Sequence, residues 1–177
     1  MRIVLGLVVV VSVLLGMVAV LGHIDGTVVF GEPRENGSAV GDTTAITGEE
    51  RAYLEYVVGI MQTTSHDIST LGMLFSQPDF EDEAWRSNAT ILLNRIERAH
   101  EAIVTLQPST RLQSFQDASV RALDHSGEFA RLIRSQLVQG KAELTEEAAR
   151  QLLSAADAFG EAEYLLDAFI GEHATVE

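Results

Sequence analysis

The residue spacing most suggestive of chemistry in this chain is Glu97-x-x-His100, because bundles that hold two metal ions carry that motif on two of their helices. The motif occurs once in the sequence. A two-metal site also needs about four carboxylates directed into the bundle, and the apolar stripes described below contain none. We therefore expect Glu97 to point outward and His100 to lie at the edge of a helix interface. A metal-binding bundle is kept only as a remote alternative.

The other histidines of the folded region are also predicted to be structural. His66 falls on an outer face, His125 lies beside an apolar stripe, and His173 lies beyond the last stripe. A haem site would need an inward His or Met pair, and no inward His faces the inward Met61. We predict no cofactor and no metal.

Composition excludes several further classes of site. The chain has 177 residues and no Cys, so disulfides, thiolate nucleophiles and iron–sulfur ligation are impossible. Twelve basic side chains stand against 26 acidic ones, a net charge of −14, which disfavours nucleic-acid binding. The sequence contains no P-loop, no Gly-x-Ser-x-Gly and no Gly-x-Gly-x-x-Gly. We expect no catalytic residue.

A few residues at inward positions, most of them small or polar, could line a pocket in the middle of the bundle. They are Thr64, Leu92, Ser119, Ala122, Ser126 and Ala162. Small side chains there could leave room for a small apolar or amphipathic ligand. The favoured alternative is that the hydroxyls bond to the preceding helical turn and the helices approach more closely.

The elements that would position these residues are four helices, because apolar residues recur at alternating steps of three and four in four segments. The predicted helices span residues 48–76, 80–106, 109–139 and 146–171, and a Thr47-x-x-Glu50 capping box opens the first. The predicted inward positions are Leu54, Val57, Met61, Thr64, Ile68, Leu71 and Phe75; Trp85, Ala89, Leu92, Ile96, Ala99, Ile103 and Leu106; Leu112, Phe115, Ser119, Ala122, Ser126, Phe129 and Ile133; and Ala148, Leu152, Ala155, Phe159, Ala162, Leu166 and Phe169.

Short connections between these segments predict the arrangement of the helices. They favour antiparallel neighbours, and so an all-α, up-down-up-down four-helix bundle over residues 48–177. Folding the stripes back on one another brings large residues against small ones, as in a layer of Ile68, Ala89, Ser126 and Phe159. Close packing requires that kind of match.

The N-terminal region predicts a membrane segment and a tether. Residues 3–21 are an unbroken apolar run, long enough as a helix to span roughly 30 Å. We favour an uncleaved transmembrane anchor over residues 1–22, rather than a cleaved signal peptide, followed by a flexible linker over residues 23–47. Arg2 precedes the run and acidic residues follow it, which predicts a cytoplasmic N-terminus and an extracytoplasmic body. If the segment is cleaved, the body is secreted.

These features together favour a non-catalytic interaction or accessory module, attached to the membrane by its N-terminal helix. Tyr53, Val58, Ile60 and Leu93 flank the stripes and are expected to be exposed to a protein partner or a second copy of the chain. The alternative hypothesis is a sensor-like bundle that binds a small molecule between its helices.

Overall fold

The computed structural model describes residues 45–141 and 144–173. Within these ranges the chain forms α1 (Gly48–Ser76), α2 (Glu83–Val104), a short 3-10 helix (Thr110–Leu112), α3 (Gln113–Val138) and α4 (Glu146–His173), with no strand. The predicted all-α class and the four helices are therefore confirmed. The predicted anchor, and residues 23–44 of the predicted linker, lie outside the described residues. No described helix is both long enough and apolar enough to cross a bilayer.

The first helix begins at the predicted capping box. Thr47 Oγ1 accepts a hydrogen bond from the Glu50 N–H at 3.1 Å, and Glu50 Oε2 accepts one from the Thr47 N–H at 3.0 Å. The second helix begins three residues later than predicted, at Glu83. The reason is local: the Asp79 carboxylate accepts hydrogen bonds from the backbone N–H groups of the next turn, and Asp82 then caps the helix at the Ala84 N–H.

The third and fourth helices also have defined ends. α3 is preceded by the 3-10 turn, which shortens it from the predicted start at 109. It ends in a left-handed Gly140 with φ of 67°, and Lys141 N–H donates to the Gln136 carbonyl. This is the geometry of a Schellman C-cap, which favours glycine. Thr145 Oγ1 caps α4 by accepting from the Ala148 N–H at 3.2 Å.

One hydrophobic core runs through the four helices and follows the predicted stripes closely. Every predicted inward position of α3, of α4 and of the turn before α3 is buried, and on α1 only Phe75 is partly exposed. The prediction for the second helix was wrong at two positions. Leu93 is fully buried and Leu92 is only partly buried, and Leu106 is also only partly buried because α2 ends at Val104, before the predicted end at 106. Steps of four then three (89, 93, 96) replace the predicted three then four.

Consecutive helices run antiparallel to each other. Trp85 at the start of α2 donates from Nε1 to the Leu74 carbonyl at the end of α1, at 3.1 Å. Gln116 at the start of α3 donates to the Ile103 carbonyl at the end of α2, at 2.7 Å. The most extensive contact between two helices is that of α3 with α4. Fully buried alanines on both helices allow this contact.

Candidate functional site

The residues predicted to line a mid-bundle pocket lie inside the core. All of them are buried except Leu92. The hydroxyls of Thr64, Ser119 and Ser126 each donate a hydrogen bond to the carbonyl oxygen four residues earlier in the same helix, at 2.7–2.9 Å. Each of these three hydroxyls is therefore satisfied within its own helix.

Glu97 of the Glu-x-x-His motif is engaged by an arginine. Its two carboxylate oxygens accept from Arg134 Nε at 2.9 Å and from Arg134 Nη2 at 3.0 Å, and Asn94 accepts from the same Nη2. Glu97 is half-buried between α2 and α3 rather than pointing freely into solvent as predicted, because this bidentate pair holds it there. Among the described residues, no three His, Asp or Glu side chains converge as metal ligands would.

Of the remaining histidines, His66 and His125 lie outside the core. His66 is exposed on α1, and Thr70 Oγ1 lies 3.5 Å from its Nε2. His125 is half-buried, with Nδ1 2.8 Å from Gln151 Oε1 on α4. His173 is the last residue of α4.

Sequence reasoning missed the buried carboxylate of Asp67. Its residue is 1% exposed, and its Oδ2 lies 3.0 Å from Nε of Arg95, whose side chain is 52% exposed. The contact is electrostatic and is not a well-aligned hydrogen bond. Burial raises the pKa of Asp67, although Arg95 and His66 oppose that rise. The only sequence signal was an acidic residue next to the α1 stripe, with an arginine at the matching level of α2.

A second unpredicted cluster joins three parts of the chain at one end of the bundle. Glu50 is buried and accepts a hydrogen bond from Ser109 Oγ at 2.7 Å, with Arg111 Nη1 at 3.7 Å. Burial alone would raise the pKa of Glu50, but the hydrogen bonds from Thr47 and Ser109 and the charge of Arg111 hold it below its usual value. The Arg111 guanidinium also lies 5.2 Å from the ring centroid of Phe169.

Beside that cluster, Tyr53 and Gln116 link α1, α2 and α3. The Tyr53 hydroxyl donates to Gln116 Oε1, and the Gln116 amide in turn donates to the Ile103 carbonyl. Burial raises the pKa of Tyr53 to about 12, with a smaller contribution from Asp117. The buried amide thus acts as acceptor for one helix and donor to another.

The four residues predicted to form an exposed apolar surface do not do so. Leu93 is fully buried, and Tyr53, Val58 and Ile60 are partly buried and pack against the core. The prediction was wrong because the buried faces are wider than a two-position stripe. The exposed large apolar side chains of the described residues are instead Tyr56, Met73, Ile91, Val104, Val138, Leu153 and Tyr164.

The described interior therefore combines apolar packing with polar contacts that join helices. The surface carries exposed apolar side chains, and the chain as a whole is acidic. No protein-family model, no curated protein and no solved structure matches this chain.

Proposed function

We propose that the chain is a membrane-tethered, extracytoplasmic helical bundle that serves as a non-catalytic interaction or accessory module. The observation that carries the proposal is the presence of large apolar side chains on outer helix faces, while the opposite faces of the same helices fill the core. Tyr164 on α4 is the clearest case, at 72% exposure. Exposed aromatic side chains are typical contact residues of protein interfaces.

The proposed membrane attachment is supported by the sequence of the N-terminal region. Residues 3–21 are apolar and uncharged, and Arg2 precedes them. A linker of about 25 residues has an end-to-end distance of roughly 25–30 Å, which would hold the acidic body away from anionic lipid headgroups. In this proposal the N-terminus is cytoplasmic and the bundle lies on the other side of the membrane, in contact with a protein partner or a second copy of the chain.

The location can be tested by expressing the full chain with a C-terminal epitope tag. We expect the protein to resist extraction from membranes by alkaline carbonate, and the tag to be digested by protease added to intact cells or spheroplasts. A cytoplasmic protein of equal size is the control for lysis. A protected tag, or release by carbonate, would contradict the proposed arrangement.

The interaction role can be tested by chemical crosslinking in intact membranes, followed by affinity capture of the tagged chain. We expect the tagged chain to capture a partner protein reproducibly and in a stoichiometric amount. The same partner should be absent when the tagged chain is not expressed. If the purified chain is strictly monomeric and no protein is captured, the interaction role is wrong.

A second candidate function, binding of a small molecule, is favoured by one observation next to the predicted pocket. Ser65 is buried beside Thr64, and its Oγ has no hydrogen-bond partner among the described residues. A ligand with a polar group could satisfy it. Native mass spectrometry of the full chain in detergent, before and after denaturation, tests this candidate: a retained small molecule supports it, and the bare protein mass contradicts it.

A further inference from the structure

The outer face of α4 combines exposed apolar residues with an excess of carboxylates. We call it the α4 outer face, and it consists of Leu153, Asp157, Glu161, Tyr164, Asp167 and Ala168. All six are exposed, and they lie on the side of the helix opposite its buried stripe. Leu153 and Tyr164 are 53% and 72% exposed. Eleven residues separate them, which places both side chains on one side of the helix about 16 Å apart.

The charge of this part of α4 has one sign. Between residues 151 and 172 the helix carries five acidic residues and no Lys or Arg. Glu161 lies on the side of this face next to α3, where its Oε2 is 2.7 Å from Nη2 of Arg121. On the other side, Glu163 and Asp167 are one turn apart. Burial raises the pKa of Glu163, and the neighbouring Asp167 raises it further, so the two carboxylates repel each other.

We propose that the α4 outer face binds a basic amphipathic helix of a partner protein. Leu153 and Tyr164 contact the apolar stripe of that helix three turns apart, and Lys or Arg side chains flanking the stripe reach Asp157 and Asp167. The inference rests on the proposed interaction role and specifies its surface and partner. It follows the general pattern of an amphipathic helix docked through anchors at helical spacing.

Charge selects this occupant over a second copy of the chain. A two-fold symmetric contact through the same face would set its carboxylates against their own copies. The full chain has a net charge of −14, so its other faces offer no general positive counterpart. A cationic helix instead relieves the repulsion between neighbouring carboxylates and is attracted over longer distances at low salt.

The probe for this proposal is a synthetic helical peptide with a leucine stripe flanked by lysine and arginine. Its control is a peptide with the same apolar positions and glutamate in place of each basic residue. The full chain is held in nanodiscs of zwitterionic phosphatidylcholine, and empty nanodiscs report peptide that binds lipid. We expect binding of the basic peptide at least ten times tighter than binding of the acidic one, weakening steeply with added salt.

Variants of the face separate apolar from charged contributions. Tyr164→Ala and Leu153→Ala are each expected to weaken binding about tenfold or more, as interface anchors do. Asp157→Asn combined with Asp167→Asn should reduce both the affinity and its salt dependence. The matched controls are Ile91→Ala, which removes an equally exposed apolar side chain from α2, and Asp124→Asn on the exposed side of α3. Both should bind like the unchanged chain.

The outcomes distinguish this inference from the proposed interaction role. Equal binding of the two peptides, or equal loss in the control variants, overturns the α4 outer face as the site. If crosslinked capture of a partner from membranes persists in the Leu153→Ala, Tyr164→Ala double variant, the interaction role stands and the surface is wrong. If the crosslinks join α4 to a second copy of the chain, the partner class is wrong.

Discussion

At the scale of single residues, the informative side chains are the polar ones that the core has buried. Asp67 is the clearest, because its charged form is disfavoured by burial while the cation paired with it, Arg95, is half in solvent. The two members of such a pair do not have equal effects on stability. Removing the exposed arginine leaves a buried charge, whereas removing the buried charge leaves an arginine that water can solvate.

We therefore predict opposite effects for two substitutions at this pair. At pH 7, Asp67→Asn should raise the free energy of unfolding by about 1 kcal/mol, and Arg95→Gln should lower it by about 1–3 kcal/mol. The measurement is urea unfolding of the full chain in detergent, followed by fluorescence of Trp85, the only tryptophan. Trp85 lies at the α1–α2 junction and is buried there, so its emission reports the bundle.

The pH dependence of the same pair has a defined sign. The pKa of Asp67 is raised in the folded chain, so the folded state takes up this proton first as the pH falls. The destabilisation in Arg95→Gln should therefore be present at neutral pH and fade as the pH falls through the raised pKa of Asp67. A loss that stays constant down to acid pH would show that Arg95 acts through packing rather than charge.

Gln116 makes a second prediction at this scale, because its amide serves two helices. Gln116→Leu leaves the Tyr53 hydroxyl without its acceptor and removes one donor from the Ile103 carbonyl, which keeps the Leu106 N–H at 3.0 Å. We expect a loss of about 1–3 kcal/mol in the free energy of unfolding. Tyr53→Phe removes only a donor and should cost about 0.5–1.5 kcal/mol. If the two variants lose the same free energy, the bond to Ile103 contributes little.

At the scale of elements, one glycine inside α3 and one just after its end differ in whether a side chain can replace them. Gly127 is inside the helix, and a Cβ there would lie 3.8 Å from the Glu97 carbonyl oxygen, an ordinary contact distance. Gly140 ends the helix with φ of 67°, where a side chain is strained. We predict that Gly127→Ala raises the free energy of unfolding by about 0.5–1 kcal/mol and that Gly140→Ala lowers it by about 1 kcal/mol. Trp85 fluorescence in urea measures both, and a stabilising Gly140→Ala would contradict the C-cap assignment.

The buried faces of the helices are the feature of the fold that the sequence predicted best. Three–four spacing identified the buried faces of α1, α3 and α4. On α2 two leucines are adjacent, and steps of three–four and four–three fit equally well, so spacing could not select Leu93 over Leu92. The choice depends on neighbouring helices.

The candidate surface and the buried polar groups were less accessible to sequence reasoning. Burial of Asp67 and Gln116 depends on Arg95 and Ile103, which belong to other helices. Tyr53 reads as an outward residue until Gln116 is placed beside it. Exposure of Tyr164 likewise depends on which faces of α4 its neighbours cover. Such contacts are set by the register between helices, which a pattern within one helix does not contain.

At the scale of the whole molecule, charge is the dominant long-range feature. Twelve basic side chains cannot neutralise 26 acidic ones, whatever pairs they form. Close pairs such as Arg134–Glu97 gain from their own geometry. The remaining carboxylates repel one another across the folded body, and this repulsion is weaker in the expanded unfolded chain. Folding at neutral pH therefore proceeds against a net electrostatic cost that salt can screen.

We predict that raising NaCl from about 10 mM to about 0.5 M at pH 7 increases the melting temperature by a few degrees, since the screening length falls from about 30 Å to under 8 Å. The same change near pH 4.6, the isoelectric point, should have little effect because the net charge is close to zero. Thermal melting of the full chain, followed by Trp85 fluorescence at both pH values, measures the difference. Salt that lowers the melting temperature at pH 7 would mean that screening weakens the attractive pairs between helices, Arg134–Glu97 and Arg121–Glu161 among them, more than it relieves the general repulsion. Stability would then depend on where the arginines lie rather than on how few there are.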